Sequence, residues 1–181
     1  MNNFESPVLK PVSYDKDTVT SNFWSQLKHW RFHGRRWKIV QDWIFWCEHL
    51  QLYVKIPAKF TCDGASVPHF LKFMVSSCDG LFYGAIVHDF IYRFNQIIVS
   101  HPDHNGDCLN DWCIWEEPGK KMADVLLYQL PKQIEGFLMP NLIAYILKPS
   151  YWYAWHHWRK INYKLTTPTP DPDDEGLNSL L

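Results

Sequence analysis

The stretch from Leu81 to Asn95, LFYGAIVHDFIYRFN, sets the first constraint on what this chain can fold into. Ile86, Val87, Phe90, Ile91 and Phe94 recur at the spacing of one helix face, so residues 81 to 95 are expected to form a helix with that face in a core. On the other side Gly84, His88 and Tyr92 follow one another at i, i+4 and i+8, with Ala85 and Asp89 beside them. A glycine inside a helix costs about 1 kcal/mol relative to alanine. Its place one turn before His88 predicts that another backbone, or a ligand, comes close there.

The natural candidate for that approach is the loop within FTCDGASVP, residues 60 to 68. Asp63 and Ser66 supply oxygens, Gly64 permits unusual backbone angles and Pro68 fixes the exit. The same residues also suit a plain turn in which Asp63 caps a short helix near 68 to 76. The residues leave both readings open.

Around this pair the pattern suggests an α+β fold, a small antiparallel β-hairpin packed on a mainly helical layer. Residues 36 to 47 (RWKIVQDWIFWC) and 50 to 60 (LQLYVKIPAKF) are rich in β-branched and aromatic side chains and read as the hairpin, with Pro57 closing its second strand. Residues 99 to 117 read as a polar loop. Pro118 then suits the first turn of a helix that stops at Pro131. A last helical region covers 140 to 163, broken at Pro149. Residues 1 to 22 are expected to be an extended arm, 23 to 165 a single globular domain, and 166 to 181 (TTPTPDPDDEGLNSLL) a disordered acidic tail.

Charge and cysteines exclude several partners. Lys and Arg number 18 against 19 Asp and Glu, so no nucleic acid is expected. The basic and aromatic run at 28 to 38 is either a solvated face or a patch for an anionic partner. The five cysteines form no CxxC pair, which argues for reduced thiols and against zinc. DHNGD at 103 to 107 has Cys108 where a calcium loop of the EF-hand type needs glycine. No signal peptide is visible at the N-terminus, and Pro140, Lys148 and Pro149 break the longest apolar run. Ten Trp, nine Tyr and eleven Phe suit a core built from rings. YWYAWHHWRK at 151 to 160 carries more rings than one helix face can bury and is expected at an interface. His156 and His157, about 100° apart on a helix, do not chelate one metal easily.

IPAKFTCDGASVP, then AIVHDFIY, then MADVLLY together resemble a family found mostly in bacteriophages and prophages, catalogued as domain of unknown function 1353. The likeness runs from about 37 to 130. His69 stands where that family usually has Arg, and HPDHNGDCLNDWC looks like an insertion before Asp124. The resemblance implies a phage protein made in the host cytoplasm, with a place in the virion as one destination. The aromatic C-terminal region and tail would then dock other phage proteins or a second copy.

HDFIY is also similar to the His-Asp-x-x-Tyr spacing on the catalytic helix of secreted phospholipases of the A-two type. That likeness implies His88 as general base, Asp124 as the carboxylate that orients it, Tyr92 as a brace and Asp89 as a calcium ligand. Asp63 would be the second carboxylate on calcium. An imidazole takes a proton near neutral pH, and a hard cation suits a developing oxyanion. The disulfides and Gly-rich calcium loop of those lipases are not in this sequence. Two functions follow: a virion or assembly component whose His-Asp pair is a buried network beside Arg93, or a metal-assisted hydrolase, lipase- or amidase-like, acting on the host cell envelope.

Overall fold

The structure is a computed structural model and describes residues 5–12, 37–62, 79–136 and 165. The loop with Asp63, Gly64 and Ser66, the short helix at 68–76, the helical region at 140–163 and the tail at 166–181 lie outside the described residues.

Two antiparallel sheets and two helices make up the described residues, an α+β arrangement. Strands β1 (Leu9–Pro11), β2 (Trp37–Ile39) and β5 (Thr61–Cys62) form one sheet in the order β1-β2-β5. Strands β3 (Trp43–Cys47), β4 (Leu52–Ile56), β6 (Gln96–Ser100) and β7 (Cys113–Glu116) form the other in that order. The expected hairpin is β3 and β4, with Trp43 opposite Ile56 and Cys47 opposite Leu52.

Two strand boundaries differ from the sequence pattern. The run from 36 to 47 is not one strand. It turns at Val40 to Asp42, where the Asp42 carboxylate accepts the Ala58 N–H at 2.8 Å, and its first half joins the other sheet. Residues 99 to 117 are not all loop either. Gln96–Ser100 is a wholly buried strand between β4 and β7, and such a short apolar run after a helix cannot be told from more helix by periodicity. Within the expected N-terminal arm, residues 5–12 are extended and lie on the fold: Leu9 pairs with Ile39, Trp43 Nε1 donates to the Glu5 carbonyl at 2.8 Å, and Tyr83 donates to Ser6 at 3.1 Å.

Helix α1 (Asp79–Phe94) carries much of the core of the described residues. Ile86, Phe90 and Ile91 are fully buried, as their spacing predicts, and Phe90 meets Phe60 edge to face at 5.1 Å. The opposite face is buried as well, at Ala85, His88 and Tyr92. Its cover is helix α2 (Gly119–Glu135).

Helix α2 does not stop at Pro131. It continues to Glu135 and closes at Gly136, whose φ of 65° suits glycine and whose N–H returns to the Lys132 carbonyl at 2.9 Å. Pro131 has no N–H to give the Leu127 carbonyl one turn earlier. That carbonyl faces Gly84: a Cβ built there would stand 2.9 Å from Leu127 O and 3.2 Å from Pro131 Cδ. The close backbone approach predicted at Gly84 is therefore made by α2. Leu165 is buried too, and Gln96 binds its backbone in both directions, at 2.6 and 3.4 Å.

Candidate functional site

One residue ties the end of the first helix to the start of the second. Asn95 follows α1 with φ 51°, a left-handed conformation that Asn tolerates, and its N–H closes the helix onto the Ile91 carbonyl at 2.7 Å. Its carbonyl accepts the Glu117 N–H at 2.9 Å, and its side-chain oxygen accepts the Gly119 N–H at 3.1 Å. The end of α1 and the start of α2 thus share a clamp. Tyr92 meets Asp124 while Gly84 meets Leu127, so the helices run antiparallel.

Between them lie four of the five residues expected at the site. Asp124 Oδ1 accepts the Tyr92 hydroxyl at 2.7 Å and faces His88 Nε2 at 3.5 Å. The other imidazole nitrogen, Nδ1, faces Asp89 Oδ1 at 3.6 Å. The rings of His88 and Tyr92 lie 3.8 Å apart at 32°, so the phenol also covers one face of the imidazole. The two His88 separations are longer than settled hydrogen bonds and short enough for strong charge coupling. Asp63, the fifth residue, lies outside the described residues, on the segment that follows β5.

Burial and charge oppose each other at the imidazole. Burial alone would lower its proton affinity, but the Asp124 and Asp89 carboxylates outweigh it and hold the His88 pKa above its ordinary value. Burial likewise works against the charge on Asp124. His88, Lys120 and Tyr92 outweigh that effect and hold its pKa below the ordinary range. The Asp89 side chain keeps 23 % of its exposure against 13 % for Asp124, so the cluster opens on the Asp89 side. Arg93 is buried with its guanidinium 5.0 Å from the centre of the Phe60 ring.

Two members of the arrangement are absent from the sequence expectation. Lys120 Nζ binds the second oxygen of Asp124, one turn earlier on α2. Asn95 ties the two helix ends together. Both left a trace in the sequence: KKMAD puts two lysines where a helix start favours acidic residues, and the Asn after a long apolar run is a common left-handed stop.

Among the described residues no group of three or more His, Cys, Asp or Glu is gathered in the manner of a metal centre. Asp89 offers one hard oxygen ligand, and its expected companion is Asp63. At DHNGD the Asp103 carboxylate is taken up by the Asn105 and Asp107 amides at 2.8 and 2.7 Å, which makes a locked turn. Among the described residues no helix is long and apolar enough to cross a membrane.

Residues 37–147, more than half of the chain, match the family described as Protein of unknown function (DUF1353), and the chain belongs to that family. No curated protein and no solved structure matches it.

Proposed function

Taking membership of that family as the premise, we propose that this chain is a bacteriophage protein with a hydrolytic acid–base site, directed at an ester or amide bond of the host envelope. The observation that carries the reading is the shared Asp124 Oδ1, bound by Tyr92 and facing His88 Nε2. Of the two carboxylates on the ring, Asp124 is the nearer and the more buried, so it favours the tautomer with the proton on Nε2, which leaves Nδ1 as the base. Nδ1 is on the more exposed, Asp89 side of the cluster. A water held there gives its proton to Nδ1 as its oxygen bonds the substrate carbonyl carbon. The bond to the leaving alkoxide or amine then breaks, and the same proton passes to that group. Calcium on Asp89 and Asp63 belongs to this proposal and, when bound, would supply positive charge opposite the oxyanion.

The test is hydrolysis by the full chain of a panel of short- and long-chain p-nitrophenyl esters, phospholipid vesicles and purified cell-wall fragments. Turnover by the native chain, lost in folded His88→Ala and Asp124→Asn, supports the reading. Turnover retained in His88→Ala sinks it.

The ends carry a second part of the proposal, a docking role in the virion or its assembly. Leu165 is fixed in the core by Gln96, so the acidic tail begins at an anchored point. Deleting residues 166–181 should leave the melting temperature unchanged and abolish co-purification with another phage protein or with a second copy. Associations that survive the deletion would remove the docking role from the tail.

A further inference from the structure

Lys120 sits where an isolated helix would not place it. It lies in the first turn of α2, where the backbone dipole favours carboxylates, and that turn has no acidic residue and no cap from its own N-cap residue, Pro118. Its partner Asp124 is four residues on, the less favourable polarity for an i,i+4 pair. The pair is nevertheless drawn in from solvent, with 25 % of the Lys120 side chain and 13 % of the Asp124 side chain exposed. A position that breaks the local rules of a helix start points to a role in a site.

The geometry supplies that role. Asp124 has two oxygens and divides them: Oδ2 is bound by Lys120, while Oδ1 receives Tyr92 and faces His88. With Oδ2 held by an ammonium, the carboxylate cannot rotate to place its free edge elsewhere. We infer that Lys120 is a positioning residue, which acts through Asp124 to fix the orientation and tautomer of His88. This rests on the proposed role of His88, since only a site that needs one imidazole tautomer has a use for it.

The neighbouring Lys121 is exposed and provides a control of equal charge. The experiment compares the native chain with Lys120→Met, Lys120→Arg and Lys121→Met by nitrogen-15 NMR of the His88 ring, at alkaline pH where the ring is neutral. Circular dichroism checks that each variant is folded. Native protein, Lys120→Arg and Lys121→Met should show a single tautomer with the proton on Nε2, and Lys120→Met a mixture. In the ester assay Lys120→Met should lose about tenfold or more in kcat at little changed KM, the pattern of an interaction needed only in the transition state. A native tautomer signature in folded Lys120→Met overturns the inference. The ring signal is read without substrate, so a chain inactive on every ester overturns the proposed hydrolysis while the tautomer comparison still decides the role of Lys120.

Discussion

Gly84 on α1 and the Leu127 carbonyl on α2 meet backbone to backbone, with room for no side chain between them. The carbonyl is available because Pro131 lacks the N–H that would have occupied it. A contact between the Gly84 Cα–H and this oxygen follows, of the weak kind seen where helices come closest. One and two turns along α1, the same closeness lets Asp124 reach His88 and Tyr92.

Gly84→Ala tests that contact. The new methyl would press on backbone and on a proline ring, neither of which can swing aside. Overpacking costs roughly 1–3 kcal/mol, against about 1 kcal/mol gained in helix propensity. The variant should therefore be less stable by about 1 kcal/mol in urea unfolding and slower in the ester assay, because α2 carries Asp124 away with it. An Ala variant more stable than the native chain would show that the helices separate there at no cost.

The sequence discloses α1 almost to the residue, since its apolar spacing is long and regular. It also places His88, Asp89 and Tyr92 on one side of that helix. What it cannot disclose is that this side is buried too. Gly84 signals a close neighbour, but nothing local tells a loop from a helix as that neighbour. The strand at Gln96–Ser100 is hidden for a related reason: IIV after a helix carries no period of its own, and its identity comes from pairing with Tyr53 to Lys55 and with Cys113 to Glu116. The turn between β2 and β3 is equally tertiary, held by Asp42 reaching Ala58. Asn95 acts through contacts 22 and 24 residues away, at Glu117 and Gly119, and Lys120 reaches His88 only through Asp124, links to another element that no periodic pattern records.

The pH dependence has a definite sign. His88 holds its proton more tightly in the folded chain than its ordinary pKa of 6.5 allows, so its contribution to stability is complete below that value. It is lost as pH rises through the higher folded value. Asp124 is the reverse: its contribution is present above its ordinary 3.8 and lost as pH falls through the lower folded value. Urea unfolding between pH 6 and 9 should show the native chain losing its advantage over His88→Gln as pH rises. Over the same window kcat/KM should increase, because only the neutral ring is a base. Parallel loss of stability and activity would assign His88 the opposite protonation state in turnover.

Asn95 should be worth more than an ordinary turn residue. Asn95→Gly keeps the left-handed conformation and loses only the bond to Gly119, a change of about 0.5–1.5 kcal/mol. Asn95→Ala loses the bond and adds about 1–2 kcal/mol for a Cβ in that conformation. Melting temperatures should rank native above Gly above Ala. Equal values for Gly and Ala would mean that the residue relaxes out of the left-handed region.

The two carboxylates that flank His88 should separate cleanly when each is neutralised. Asp124 is the more buried and answers to Lys120, Tyr92 and His88 together. Asp124→Asn leaves the lysine and imidazolium without their common counter-charge, and hydrogen bonds to charged groups contribute about 1.5–3 kcal/mol each. A loss of roughly that size in urea unfolding is expected, with or without added calcium. Asp89 is more exposed and lies 3.6 Å from Nδ1. Asp89→Asn removes only one of the two carboxylates that hold the His88 proton, so it should cost the calcium-free chain less than Asp124→Asn does. Its further effect should appear with the metal. Calcium at a hundred times its dissociation constant stabilises a folded chain by about 2.7 kcal/mol if only the folded state binds it. The native chain should show a calcium-dependent rise in melting temperature, and Asp89→Asn should lose it. Should calcium leave the native melting temperature unmoved, the metal drops out of the proposed mechanism, and Asp89 keeps only its electrostatic part in raising the proton affinity of His88.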